Sequence, residues 1–172
     1  MEILISVGIL AILATLLAQV LYTTTHVNKK TEIITTIKQE GNFALDVIAR
    51  TLRTARVIDI TCAVGQTTAA VARITGPDNT VTTFACFADG STARIASESA
   101  SQTVYLSSGN LTLSSSGGAD CTDSSLTFSC PPADGSIQTQ VTVSFTLGQI
   151  GVAGAAYESG SEPFEATVRM RK

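Results

Sequence analysis

The chain has 172 residues, 44% of them hydrophobic and only 15% charged, with no tryptophan, one histidine and a net charge of −3. That length accommodates one modest domain beyond an apolar segment. An acidic total argues against a nucleic-acid reader, which needs a basic face, so no direct nucleic-acid binding is expected.

In chain order, Ile3 to Tyr22 comes first, twenty residues without a charge. At about 1.5 Å rise each, that is enough to cross a ~30 Å hydrocarbon core. Glu2 stands at its edge, where an unpaired carboxylate entering lipid is costly. From the residues alone it lies at the membrane interface or the helix N-terminus, where the dipole favours an anion. Ser6, Gly8, Ala11, Ala14 and Ala18 bring small side chains suited to close helix approach. Gly8 is the one intrinsic weak point of the run, which has no proline.

After Tyr22 the stretch T-T-T-H-V-N-K-K is polar but holds nothing to stop a helix. Ile34, Ile37, Leu45, Ile48, Leu52 and Ala55 then recur at helical spacing, with Gly41 on the same stripe. One nearly continuous helix from Glu2 to Ile58 is expected, roughly 85 Å long. A domain of this size cannot cover it, so the first half projects. Lys29 to Arg56 carries six basic and three acidic residues, whereas Val57 onward carries five basic and ten acidic. A basic stem therefore joins an acidic head.

The head reads as β. T-T-A-A-V-A-R-I-T and T-V-T-T-F-A-C-F-A flank G-P-D-N (Gly76 to Asn79), which has the chemistry of a tight reversal. A second turn is expected at Asp89-Gly90, and T-V-Y-L-S-S-G-N-L-T-L reads as a hairpin turning at Gly109-Asn110. From Ile137 to Leu147, Ile137, Thr139, Val141, Val143, Phe145 and Leu147 share one face. Phe164, Ala166, Val168 and Met170 do the same in the last strand. The expectation is an α+β fold, an antiparallel sheet packed on the upper helix, divided as 1–27 apolar helix, 28–60 amphipathic stem and 61–172 β-rich head.

Cys62, Cys86, Cys121 and Cys130 all lie in the head, with no CxxC spacing and no histidine beside them. Zinc and a catalytic thiol are both disfavoured, and two disulfides in an oxidising compartment are expected. Of the three pairings, local partners predict Cys121 with Cys130, enclosing eight residues, and Cys62 with Cys86, stapling stem to sheet. Lys29 and Lys30 favour a cytoplasmic side, whereas disulfides need the outside. A basic segment upstream of Met1, removed or left out, would reconcile the two. Asp120, Asp123 and Asp134 read as solvated turn acids rather than a calcium loop. Asn110-Leu111-Thr112 fits a glycosylation sequon. No triad, nucleophile elbow or phosphate loop is present, so neither enzymatic activity nor a cofactor or metal is expected.

The opening M-E-I-L-I-S-V-G-I-L-A-I-L-A resembles the start of a type IV pilin or pseudopilin, whose mature chains begin F-T-L-x-E before an apolar helix. The likeness covers about the first sixty residues; Met1 fills the variable position and Glu2 the acidic one. The three preceding apolar residues and the leader that prepilin peptidase removes are not in this sequence. The resemblance implies a subunit anchored by one pass in the cytoplasmic membrane, then assembled into an extracellular filament through its helix. Glu2 would pair with a neighbouring subunit's N-terminal amine. Partners would be copies of itself, other pilins, prepilin peptidase and the assembly machinery. A minor pseudopilin of a secretion or DNA-uptake machine is an alternative, since R-T-L-R-T-A resembles such stems. A membrane-anchored adhesin is an alternative of another class.

Overall fold

The computed structural model describes residues 2–62, 66–90, 92–113, 120–130, 140–150 and 160–169, apart from the side chains of Glu2, Leu4, His26 and Asp123. One helix, α1 (Glu2–Thr54), runs for 53 residues, about 80 Å of continuous hydrogen-bonded backbone. Its lower part stands free of the rest of the chain, while Ile37, Gly41, Ala44, Ile48 and Leu52 are buried against the head. The expected stripe is the buried one; Ile34, Leu45 and Ala55 lie at its margins, half-buried.

The helix ends four residues earlier than expected. No glycine or proline stops it. Instead the Arg56 amide donates to the Thr75 carbonyl at 2.8 Å, and the β-branched Val57 and Ile58 enter a strand, β1 (Val57–Asp59). Strand propensity and a partner strand together outcompete another helical turn.

Two antiparallel sheets follow in place of the expected one. The first has the order β1, β3 (Ala72–Thr75), β4 (Val81–Asp89), β5 (Thr92–Ser99), β6 (Gln102–Tyr105). The second has the order β10 (Ser161–Arg169), β9 (Gln140–Gln149), β8 (Thr127–Ser129), β2 (Thr68–Ala69), with β7 (Leu111–Thr112) also pairing β9. The inner faces of both sheets and the upper helix close on one core that includes Phe84, Ile95, Phe128, Val143 and Leu147.

The reversal at Gly76–Asn79 is present: the Asn79 amide donates to the Gly76 carbonyl at 3.1 Å, and Asn79 takes φ 62°, a conformation asparagine tolerates. Hydrogen bonds from the Thr80 hydroxyl and amide to Asp78 hold its carboxyl below the usual range. Gly90, at φ 61°, turns β4 into β5 as expected. Two expectations fail. The stretch Thr67 to Thr75 divides between sheets, β2 pairing β8 and β3 pairing β4. The supposed hairpin at Gly109-Asn110 also splits, because β6 pairs β5 whereas β7 pairs β9. Leu111 and Leu113 are both buried, and the Leu113 amide donates to the Ala93 carbonyl at 2.8 Å. Burying two leucines between the sheets outweighs the local pairing.

Strand β9 buries Val141, Val143, Phe145 and Leu147, the alternation expected of it; Ile137 and Thr139 lie outside the described residues. Phe164 and Val168 are buried in β10 and Ala166 half-buried, with Met170 outside the described residues. The Phe164 ring stacks on Phe145 at 5.3 Å between centroids and lies directly on Gly41 of the helix. A Cβ at Gly41 would come within 2.2 Å of that ring. Glycine is needed here for closeness, not for an unusual backbone.

Candidate functional site

The described large apolar side chains from Ile3 to Tyr22 are between 53% and 81% exposed. A soluble domain does not leave twelve such residues in water; the segment is long and apolar enough to cross a membrane. Its polar atoms are partly cancelled locally. The Thr15 hydroxyl donates to the Ile12 carbonyl at 2.8 Å, Thr23 to Gln19 at 2.9 Å and Thr24 to Val20 at 2.8 Å. Back-bonded threonines lower the cost of apolar surroundings. Glu2 is in the first turn of α1, its side chain outside the described residues. Gly8 has open space around it, so no contact within this chain requires a glycine there.

Both disulfides form, with the pairing reversed from expectation. Cys62 joins Cys130, 68 residues on, and Cys86 joins Cys121, 35 residues on. Cys62 does not end the helix; it follows β1 of the first sheet, while Cys130 follows β8 of the second. Cys86 lies in β4 of the first sheet, and Cys121 opens the 3₁₀ turn Cys121–Asp123. One bond thus ties the exits of strands in opposite sheets, and the other ties β4 to the turn leading into β8. Local proximity failed as a guide because the chain returns to β4 only through long-range packing. Asp120 caps the 3₁₀ turn; the Thr122 amide donates to it at 2.9 Å and holds its carboxyl below the usual range. No metal-binding group of three acids, cysteines or histidines exists among the described residues, and Asp134 lies outside them. In the sequon, Asn110 is exposed on its turn but Thr112 is only 2% exposed.

Arg94 pins the lower end of the first sheet. It stacks over Tyr105 at 4.1 Å, pairs with Asp89 and donates from Nε to the Ser107 carbonyl at 2.8 Å. Beside this end, a cleft of about 350 Å³ opens between the helix and the β7–β9 junction. Glu32, Thr36, Glu40, Ser108, Asn110 and Gln149 supply its polar lining, which has no basic residue. The Ser108 amide donates to Glu40 at 2.7 Å, tying head to stem. Gln149 Oε1 is buried without a partner among the described residues. The cleft escaped the sequence, since its two carboxylates are eight residues apart on the helix and its polar groups from the head come from the turn before β7 and the end of β9.

No family model, curated protein or solved structure matches this chain.

Proposed function

We propose that this chain is the structural subunit of a type IV pilus-like filament, held in the cytoplasmic membrane by its lower helix before assembly and polymerising through that helix outside the cell. The observation that carries the reading is a single 53-residue helix used in two ways, bare and apolar below, core of a disulfide-braced α+β head above. Lipid covers such a segment in the membrane. Outside it, neighbouring copies of the same segment can replace lipid at little change in apolar burial. Small side chains at Ser6, Gly8, Ala11 and Ala14 favour that exchange.

Glu2 is the residue that makes the exchange directional, because a carboxylate beside an apolar bundle is stable chiefly when paired. Glu2→Ala therefore leaves the protein in the membrane fraction and removes it from sheared filaments. Electron microscopy and fractionation check both halves. A variant that polymerises like the parent refutes the pairing role.

A further inference from the structure

We infer that the head is a substrate for a thiol–disulfide isomerase, a partner that presents a reactive cysteine thiolate and exchanges wrongly paired sulfurs for the native pairs. The native bonds are nested: Cys62–Cys130 spans 68 residues and encloses Cys86–Cys121, which spans 35. The competing set is local, with Cys121 and Cys130 enclosing only eight residues and Cys62 meeting Cys86. In an unfolded chain the chance that two sites meet falls with about the 3/2 power of their separation, so Cys121 meets Cys130 about 8-fold more often than Cys86, and Cys130 meets Cys121 about 20-fold more often than Cys62. Synthesis from the amino end sharpens the bias, because Cys62 encounters Cys86 before Cys121 or Cys130 is available.

Folding does not correct the bias early. Cys130 is brought to Cys62 by the pairing of β2 with β8, two residue pairs, and by a bond from the Cys130 amide to the Thr67 carbonyl at 2.9 Å. So short a ladder is marginal without the core around it. Leu126 and Phe128, both fully buried in that core, lie inside the ring that Cys121–Cys130 would close. Nor can the chain correct itself afterwards, since its four cysteines are then all bonded and exchange begins from a thiolate. A thiolate from outside starts it. Attack on Cys130 Sγ forms a mixed disulfide and releases the Cys121 thiolate. Cys121 attacks Cys86 Sγ, forming Cys86–Cys121 and releasing Cys62. Cys62 then attacks Cys130 Sγ, forming Cys62–Cys130 and returning the partner's thiolate. Two disulfides enter and two leave, so the exchange consumes no oxidant. All four cysteines are half-buried in the finished head, which limits a further round of attack.

The inference concerns oxidation of the head and does not rest on the filament reading. Full-length protein is reduced and unfolded, then returned to native conditions in detergent with diamide, which oxidises thiols and supplies none. Trypsin and chymotrypsin cut after Arg73, Arg94 and Phe128, so linked peptides report every pairing. Cys121–Cys130 should exceed either native bond by about tenfold and persist. Once diamide is removed, a protein disulfide isomerase in its reduced form should convert the products to Cys62–Cys130 and Cys86–Cys121, and the same isomerase without its active-site cysteines should not. Native pairs formed by diamide alone, or wrong pairs that the active isomerase leaves unchanged, overturn the inference. The double variant Cys86→Ser, Cys121→Ser has no wrong partner and should form Cys62–Cys130 with diamide alone. Failure of that bond would place the obstacle in closure of the sheets, not in sulfur exchange, and would equally overturn it.

Discussion

The two halves of α1 share one backbone and differ in everything around it. Below Val27, apolar side chains point in all directions and remain exposed; above Ile33, they form a stripe, and the stripe is buried. A helix that is hydrophobic all round seeks lipid or other helices, whereas an amphipathic one completes a core. The contrast teaches that the same α-helical propensity serves two environments, with side-chain patterning deciding which. The head's folding energy should then reside in the upper half alone.

The largest expected effect lies in the covalent frame that holds the sheets against that upper half. Replacing Cys62 and Cys130 by serine, or Cys86 and Cys121, frees loops of 68 or 35 residues and should cost about 4 kcal/mol in each case by loop-closure entropy. Thermal unfolding of the two double variants measures it. Equal melting of parent and variants would mean that the core alone aligns the sheets.

The comparison itself breaks or survives on paired leucines. Leu52 is fully buried and Leu17 is 65% exposed. Leu52→Ala should destabilise the head by about 2–5 kcal/mol, whereas Leu17→Ala should change head unfolding by less than about 0.5 kcal/mol. Denaturant titration in detergent, followed by the Tyr and near-ultraviolet signals of the head, separates them. A comparable loss from both would show that the lower helix supports the fold.

A smaller effect sharpens where the halves meet. Gly41→Ala drives a methyl into the Phe164 ring and should cost about 1–3 kcal/mol through overpacking. Combining it with Phe164→Leu, which vacates the ring, should recover part of that loss. Additive losses in the double-mutant cycle would disprove the contact.

The smallest is a gain far from the helix. Ala100 and Ser101, between β5 and β6, both take positive φ, 48° and 66°. That conformation is strained for residues with a Cβ. Ala100→Asn with Ser101→Gly supplies the residues such a turn prefers and should stabilise the head by about 1 kcal/mol. An unchanged melting temperature would mean that the strain is already relieved by neighbours.

Much of this fold was legible from local pattern. The uncharged run, the stripe from Ile37 to Leu52, the alternation of β9 and β10 and the reversal at Gly76–Asn79 each follow from a few adjacent residues, because helix and strand periods and turn chemistry are short-range properties. Tertiary structure alone decided the rest. The helix stopped at Thr54 because Thr75 offered Arg56 a partner. The stretch Thr67 to Thr75 divided because its two ends pair with different sheets. The cysteines chose partners 68 and 35 residues away over the nearest ones, and the cleft beside the stem brought Glu40 together with Asn110 and Gln149. In each case a contact between segments far apart in sequence outweighed a local preference, since burial and backbone pairing are settled by the whole chain at once and leave no mark in any one window of residues.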